Sequence, residues 1–248
     1  SGYFGSGKSH LLKMLSIVLE NKEINGLKCA DVFASKAKDD FELESNIRKA
    51  SKIPTQSILF NISAKSDGVI GLGNTTDKVL SIFLKVFNEL LGYDPLNPEI
   101  AEIERHLESI GKYAFFKEEY YKRNHKNWEK GREHIFLNQH ELAAIYADIK
   151  SITPEEANKF IDNLINNYKL DINTFCDLVA KYIDTQPKGF RLIFCVDEVG
   201  QFIAENVNLM LSLQTIVETL STKANGQSFL IVTSQNDINA VIGELNKQ

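Results

Sequence analysis

Proline is scarce, with five in 248 residues, so nothing in the chain reads as a polyproline linker. Cysteine is scarcer still. Cys29, Cys176 and Cys195 are odd in number and widely spaced, and no Cys-x-x-Cys pair offers zinc ligands, so they read as reduced thiols of a cytoplasmic protein. No apolar run approaches the roughly 18 residues of a membrane-spanning helix, and no charged, apolar and small-residue succession resembles a signal peptide. An excess of positive charge is missing as well: 28 Lys and Arg stand against 33 Asp and Glu, a net charge of -5. That balance excludes a surface that is basic all over and leaves only a local patch to meet nucleic acid. Internal repeats, low-complexity tracts, a G-x-S-x-G elbow and a His-rich metal pattern are absent too. What remains is 43% hydrophobic, enough for the core of one or two domains.

The first residues carry the clearest signal. Gly2-Tyr3-Phe4-Gly5-Ser6-Gly7-Lys8-Ser9 meets G-x-x-x-x-G-K-[ST] in full. Glycines let the backbone curl so that successive N–H groups face phosphate oxygens, a concavity that side chains would obstruct. Leu11, Leu12, Leu15, Val18 and Leu19 recur at helical spacing directly afterwards, so the loop opens a helix over Lys8 to Leu19 whose N-terminal dipole favours an anion. Gly2, Gly5, Ser6, Gly7, Lys8, Ser9 and His10 are the expected nucleotide contacts. Lys8 neutralises the β- and γ-phosphates in this reading, and the Ser9 hydroxyl ligates Mg²⁺. His10 reads as a first-turn helix residue rather than a catalytic base. Such a loop normally follows a buried strand, here expected upstream of Ser1, so the chain reads as a piece of something longer.

Hydrolysis needs a magnesium carboxylate and a group that orients water. Leu192-Ile193-Phe194-Cys195-Val196 is an apolar run ending in Asp197-Glu198, which reads as a parallel strand covered on both faces. Asp197 is the expected magnesium residue and Glu198 the one that orients or deprotonates water. Phe229-Leu230-Ile231-Val232 is a second such run, ending in Thr233-Ser234-Gln235. Open α/β sheets bind ligands at that end of a strand, and Ser234 is the first choice among the three for contact with the γ-phosphate or the water. Gln201 is a weaker candidate nearby. Ser57 to Ile62 reads as a third strand, and Leu209, Met210, Leu213, Ile216, Val217 and Leu220 mark a crossover helix.

From Asp77 to Gln186 the apolar residues recur only with helical period. Val79, Ile82, Phe83, Val86, Phe87 and Leu90 form one stripe, and Ile100, Ile103, Leu107 and Ile110 form another, with Asp94-Pro95 and Asn97-Pro98 between them. Thr153-Pro154-Glu155-Glu156 is a capping box. Tyr113, Phe115, Phe116, Tyr120, Tyr121 and Trp128 are interleaved with lysines and arginines, a pattern open between gripping a nucleic-acid strand and packing helices. Gly68-x-x-Gly71-x-Gly73 reads as a flexible loop. The expected organisation is α/β: a parallel sheet flanked by helices in residues 1–76 and 187–248, with an all-helical insertion over 77–186.

The phosphate-loop block through Met14-Leu15, together with Val196-Asp197-Glu198-Val199-Gly200-Gln201-Phe202 and Val232-Thr233-Ser234-Gln235, resembles the P-loop ATPases of BREX bacteriophage-exclusion systems, the BrxC/PglY family. The resemblance implies an AAA+-like ATPase using ATP and Mg²⁺. Lys8 and Ser9 would serve phosphate and metal, Asp197 the metal, Glu198 the water, and Ser234 would act as a sensor on the following strand. It also implies other BREX proteins as partners, oligomerisation, and DNA as a further contact of the wider complex. The arginine finger and helical lid of such ATPases are expected outside this sequence. Two rival expectations stand beside an ATPase: a nucleotide switch that scarcely hydrolyses, and a nucleic-acid-binding module whose loop is secondary.

Overall fold

The computed structural model describes residues 7–69, 77–137, 139–203 and 206–234. Helix α1 (Lys8–Leu19) follows the leucine spacing, with Leu12 turned inward and Leu11 left outside. Next comes a hairpin, β1 (Glu23–Ile24) and β2 (Leu27–Lys28), closed by Asn25 and Gly26 at φ 52° and 77°. Asn-Gly is the pair that adopts positive φ at both turn positions most readily. Helices α2 (Cys29–Ala34) and α3 (Phe41–Ala50) follow, the latter capped by Asp40, which accepts from Leu43 N at 2.9 Å. Strand β3 (Thr55–Asn61) then runs into a single helical turn, α4 (Ile62–Lys65).

Seven further helices appear in order: α5 (Lys78–Leu91), α6 (Pro98–Ser109), α7 (Tyr113–Asn124), α8 (Trp128–Gly131), α9 (Gln139–Lys150), α10 (Pro154–Asn167) and α11 (Ile172–Asp184). A 3₁₀ turn over Arg132–Leu137 joins α8 to α9. No strand interrupts them among the described residues, as the apolar period predicted. Val79, Ile82, Phe83, Val86 and Phe87 are buried to within 2% of completely. The capping box forms at Thr153 and Glu156, with each side chain bonded to the other's backbone N–H. The last described elements are β4 (Arg191–Asp197), α12 (Val199–Ile203), α13 (Val207–Lys223) and β5 (Ser228–Val232).

The described residues fall into two compact units, one holding 7–67, 77–82, 171–203 and 206–234, the other 68–69, 83–137 and 139–170. Helix α11 therefore packs with the sheet, whereas its periodicity alone had grouped it with the helical stretch. Its apolar side explains the placement: Phe175 meets Phe194 of β4 at 6.4 Å between ring centroids, and Cys176 is buried against α13.

Within the first unit, β3, β4 and β5 form a three-stranded parallel sheet in that order. Leu192 to Val196 of central strand β4 are at most 3% exposed, and each such side chain contributes about 1.5–3 kcal/mol by leaving water. Leu12 of α1 covers one face at Ile193 and Cys195. Phe175 of α11 covers the other at Phe194. Outer strand β3 is guarded where the Glu20 carboxylate accepts from Ser57 N at 2.6 Å. A side chain that takes up an outward N–H in this way discourages pairing with another chain.

In the second unit, Phe116, Tyr120 and Trp128 meet edge-on or tilted, at 4.8–6.4 Å between centroids, and form the core with Ile100, Ile103 and Ile145. Four of the six aromatic residues left open in sequence, Tyr113, Phe116, Tyr120 and Trp128, are buried. Several of the interleaved cations form ion pairs. Lys122 pairs with Glu118 and Glu119, Arg123 with Asp148 and Lys117 with Glu129. Helix packing accounts for the four buried aromatic residues of this pattern.

All three cysteines are free thiols. Cys176 and Cys195 are fully buried, and burial pushes their thiols up to about 12 and about 11 respectively. The thiolate is the reactive form. A colorimetric disulfide reagent at neutral pH is therefore expected to modify one thiol rapidly, the half-buried Cys29, and the other two only after unfolding in urea. A second fast thiol in the native protein would contradict this packing.

Candidate functional site

Three strand ends and one helix start converge in the first unit. Gly7 precedes α1 with φ 79° and accepts from Leu11 N at 2.9 Å. That left-handed conformation is what demands glycine here, since a Cβ would meet nothing within 4 Å. Among the described residues no side chain caps α1 and no acidic residue stands in its first turn, so its opening N–H groups and positive dipole end are suited to an anion. Lys8 is half-buried, while Ser9 and His10 are exposed. Gly2, Gly5 and Ser6 of the expected cradle lie outside the described residues, as do Gly71, Gly73 and Gln235.

Lys8 lines a cavity of about 240 Å³ together with Leu11, Leu12, Leu15, Ile231, Val232 and Thr233. The cavity links the phosphate-loop lysine to the carboxyl end of β5. There the Thr233 hydroxyl bonds Asp197 Oδ1 and accepts from Glu198 N at 3.0 Å. Both hydrogen bonds to Asp197 fall on Oδ1, the second from Glu198 N at 3.1 Å. Among the described residues Oδ2 therefore keeps its lone pairs for a cation.

Glu198 stands at φ 61°, a left-handed conformation that costs a non-glycine residue about 1–2 kcal/mol. Its side chain is held from β3. Asn61 lies level with Asp197 across the β3–β4 ladder and donates from Nδ2 to Glu198 Oε2 at 2.6 Å. The orientation of this amide is fixed by its other end. Asn61 Oδ1 caps α4, accepting from Ala64 N at 3.0 Å, so the NH₂ group must face the carboxylate. Sequence reading passed over Asn61 because the strand was drawn through Ile62. The available signal was the one applied to Thr233: a polar residue at the carboxyl end of an apolar strand, here also standing directly before a helix.

The structure brings Lys8, Thr233, Asp197, Glu198 and Asn61 to one end of the sheet. Ser234 is 2% exposed, and its side chain packs on Gly200 in α12. Thr233, one residue earlier, reaches the carboxylate pair. Gln201 is exposed on α12.

No group of three or more His, Cys, Asp and Glu gathers among the described residues as a metal cage. Magnesium does not require one, since it commonly takes one or two protein oxygens and completes its octahedron with phosphate and water. Asp197 Oδ2 and the exposed Ser9 hydroxyl fit that sparse donor set. No described helix is long and apolar enough to cross a membrane. No family model matches the chain, and no solved structure matches it.

Proposed function

We propose that this chain binds ATP with Mg²⁺ and hydrolyses it as an AAA+-like P-loop ATPase. The observation that carries the reading is the convergence at the carboxyl ends of parallel strands: Lys8 and Thr233 line one cavity, and Thr233 is bonded to the Asp197–Glu198 pair. Lys8 and the N–H groups opening α1 bind phosphate in this scheme. Ser9 and Asp197 hold the metal, whose part is to neutralise charge on the β- and γ-phosphates. Glu198 orients the attacking water and accepts its proton, while Asn61 and Thr233 keep Glu198 and Asp197 in place. His10, on the exposed first turn of α1, is assigned to nucleotide contact and not to proton transfer.

The three motif blocks extend the proposal to biology. The chain acts in the cytoplasm as part of a BREX-type defence against bacteriophage, in an oligomer with other proteins of that system, with DNA as a contact of the wider complex. The all-helical second unit, where lysines are paired with glutamates and the aromatic residues are mostly buried, serves protein docking or regulation in this view.

Calorimetric titration with MgATP tests the first step. Lys8→Ala removes a charge-assisted contact worth about 1.5–3 kcal/mol and is expected to weaken binding roughly ten- to a hundredfold. Equal affinity in the two proteins would remove Lys8 from the site.

A further inference from the structure

Gly200 and Ser234 approach so closely that position 200 has room for hydrogen alone. A Cβ at Gly200 would lie 1.9 Å from Ser234 Oγ, 2.9 Å from its Cβ and 3.4 Å from its Cα. Rotating the serine would relieve the first contact. The second would persist, because the position of Cβ is set by the backbone. Thr233 grips the same turn from the other side. Its N–H donates to Val196 O at 3.0 Å, its carbonyl accepts from Val199 N at 3.0 Å, and its hydroxyl accepts from Glu198 N at 3.0 Å. Between these two holds sits Glu198, in a conformation that L-residues avoid unless their surroundings impose it.

We propose that Gly200 and Ser234 are positioning residues for Glu198. The bare Cα of Gly200 lets the end of β5 seat against α12, and that seating keeps Glu198 in its left-handed turn with the carboxylate directed at Asn61. Ser234 acts in this joint through its bulk and its place. The inference rests on the reading of Glu198 as the residue that orients water.

The three distances set the order of a mutant series in the whole chain. Gly200→Ala is expected to lower kcat about 10²-fold while KM for MgATP stays unchanged. Adding Ser234→Ala removes the hydroxyl and leaves the Cβ contact, so recovery is partial. Adding Ser234→Gly instead removes both contacts and restores turnover. The second readout is the Asn61 side-chain amide in a ¹⁵N NMR spectrum, which reports the Glu198 carboxylate without any hydrolysis. Its signal moves in Gly200→Ala and returns in Gly200→Ala/Ser234→Gly.

If Gly200→Ala does not fold, recovery of the native spectrum by added Ser234→Gly, and less completely by Ser234→Ala, gives the same ordering. An unmoved Asn61 signal in a folded Gly200→Ala would overturn the proposal, as would a loss of turnover that added Ser234→Gly fails to restore. Should the amide follow the series while even the wild type fails to hydrolyse ATP, the joint stands and the ATPase reading falls.

Discussion

Replacing Glu198 by glutamine is expected to leave MgATP binding intact and to lower turnover by roughly 10²–10⁴-fold, the range lost when a positioned general base is removed. Glutamine keeps the length and one acceptor oxygen, so the hydrogen bond from Asn61, 2.6 Å in the native chain, has a partner in the variant. What disappears is the capacity to accept a proton from water. Binding is measured by calorimetry and turnover by phosphate release on the same preparations. Equal turnover in wild type and variant would take Glu198 out of the chemistry. Tight binding with negligible turnover in both would favour the nucleotide switch.

The largest stability change is expected in the second unit, at Glu104. This carboxylate is fully buried, and its Oε1 accepts from Tyr113 OH at 2.8 Å, Trp128 Nε1 at 2.5 Å and Arg132 Nη1 at 2.7 Å. Its Oε2 accepts from Asp94 N at 2.5 Å. Glu104→Ala strands the guanidinium of Arg132, whose side chain is 12% exposed and whose other anion, Asp94, is 3.7 Å away. Removing one member of a buried pair costs about 3–5 kcal/mol, because the partner charge remains without compensation. Urea denaturation followed by fluorescence of Trp128, the one tryptophan in the chain, reads this directly. A loss below about 1 kcal/mol, the scale of an exposed pair, would show that Glu104 is not the keystone of this core. Glu104→Gln keeps the shape and forfeits the charge, so it is expected to fall between the two.

The elements that sequence revealed are those that a single physical pattern dictates. Periodicity alone defined α1 over Lys8–Leu19, and continuous apolar runs marked β4 and β5, since strands buried on both faces need no polar alternation. Thr153 and Glu156 announced their cap because that bonding is local. The hairpin at Asn25-Gly26 carried an equally local signal that went unread. Other features depend on contacts that no local pattern encodes. Asn61 becomes part of the site only when β3 pairs with β4, and Ser234 meets Gly200 only when the end of β5 is seated against α12. Likewise the apolar stripe of α11 gives its period but not its partner, which proves to be Phe194.

The pairing of β3 with β4 has a consequence in time. Asn61 and Glu198 stand 137 positions apart. At synthesis rates of about 5–20 residues per second, β3 must wait roughly 7–27 s for its partner. The residues of the helical unit emerge in that interval, before β4 is made. Parallel strands joined across so long a separation are slow to pair. The carboxylate cluster is thus among the last parts of the molecule to be assembled, because Asn61 cannot meet Glu198 until β4 has paired with β3.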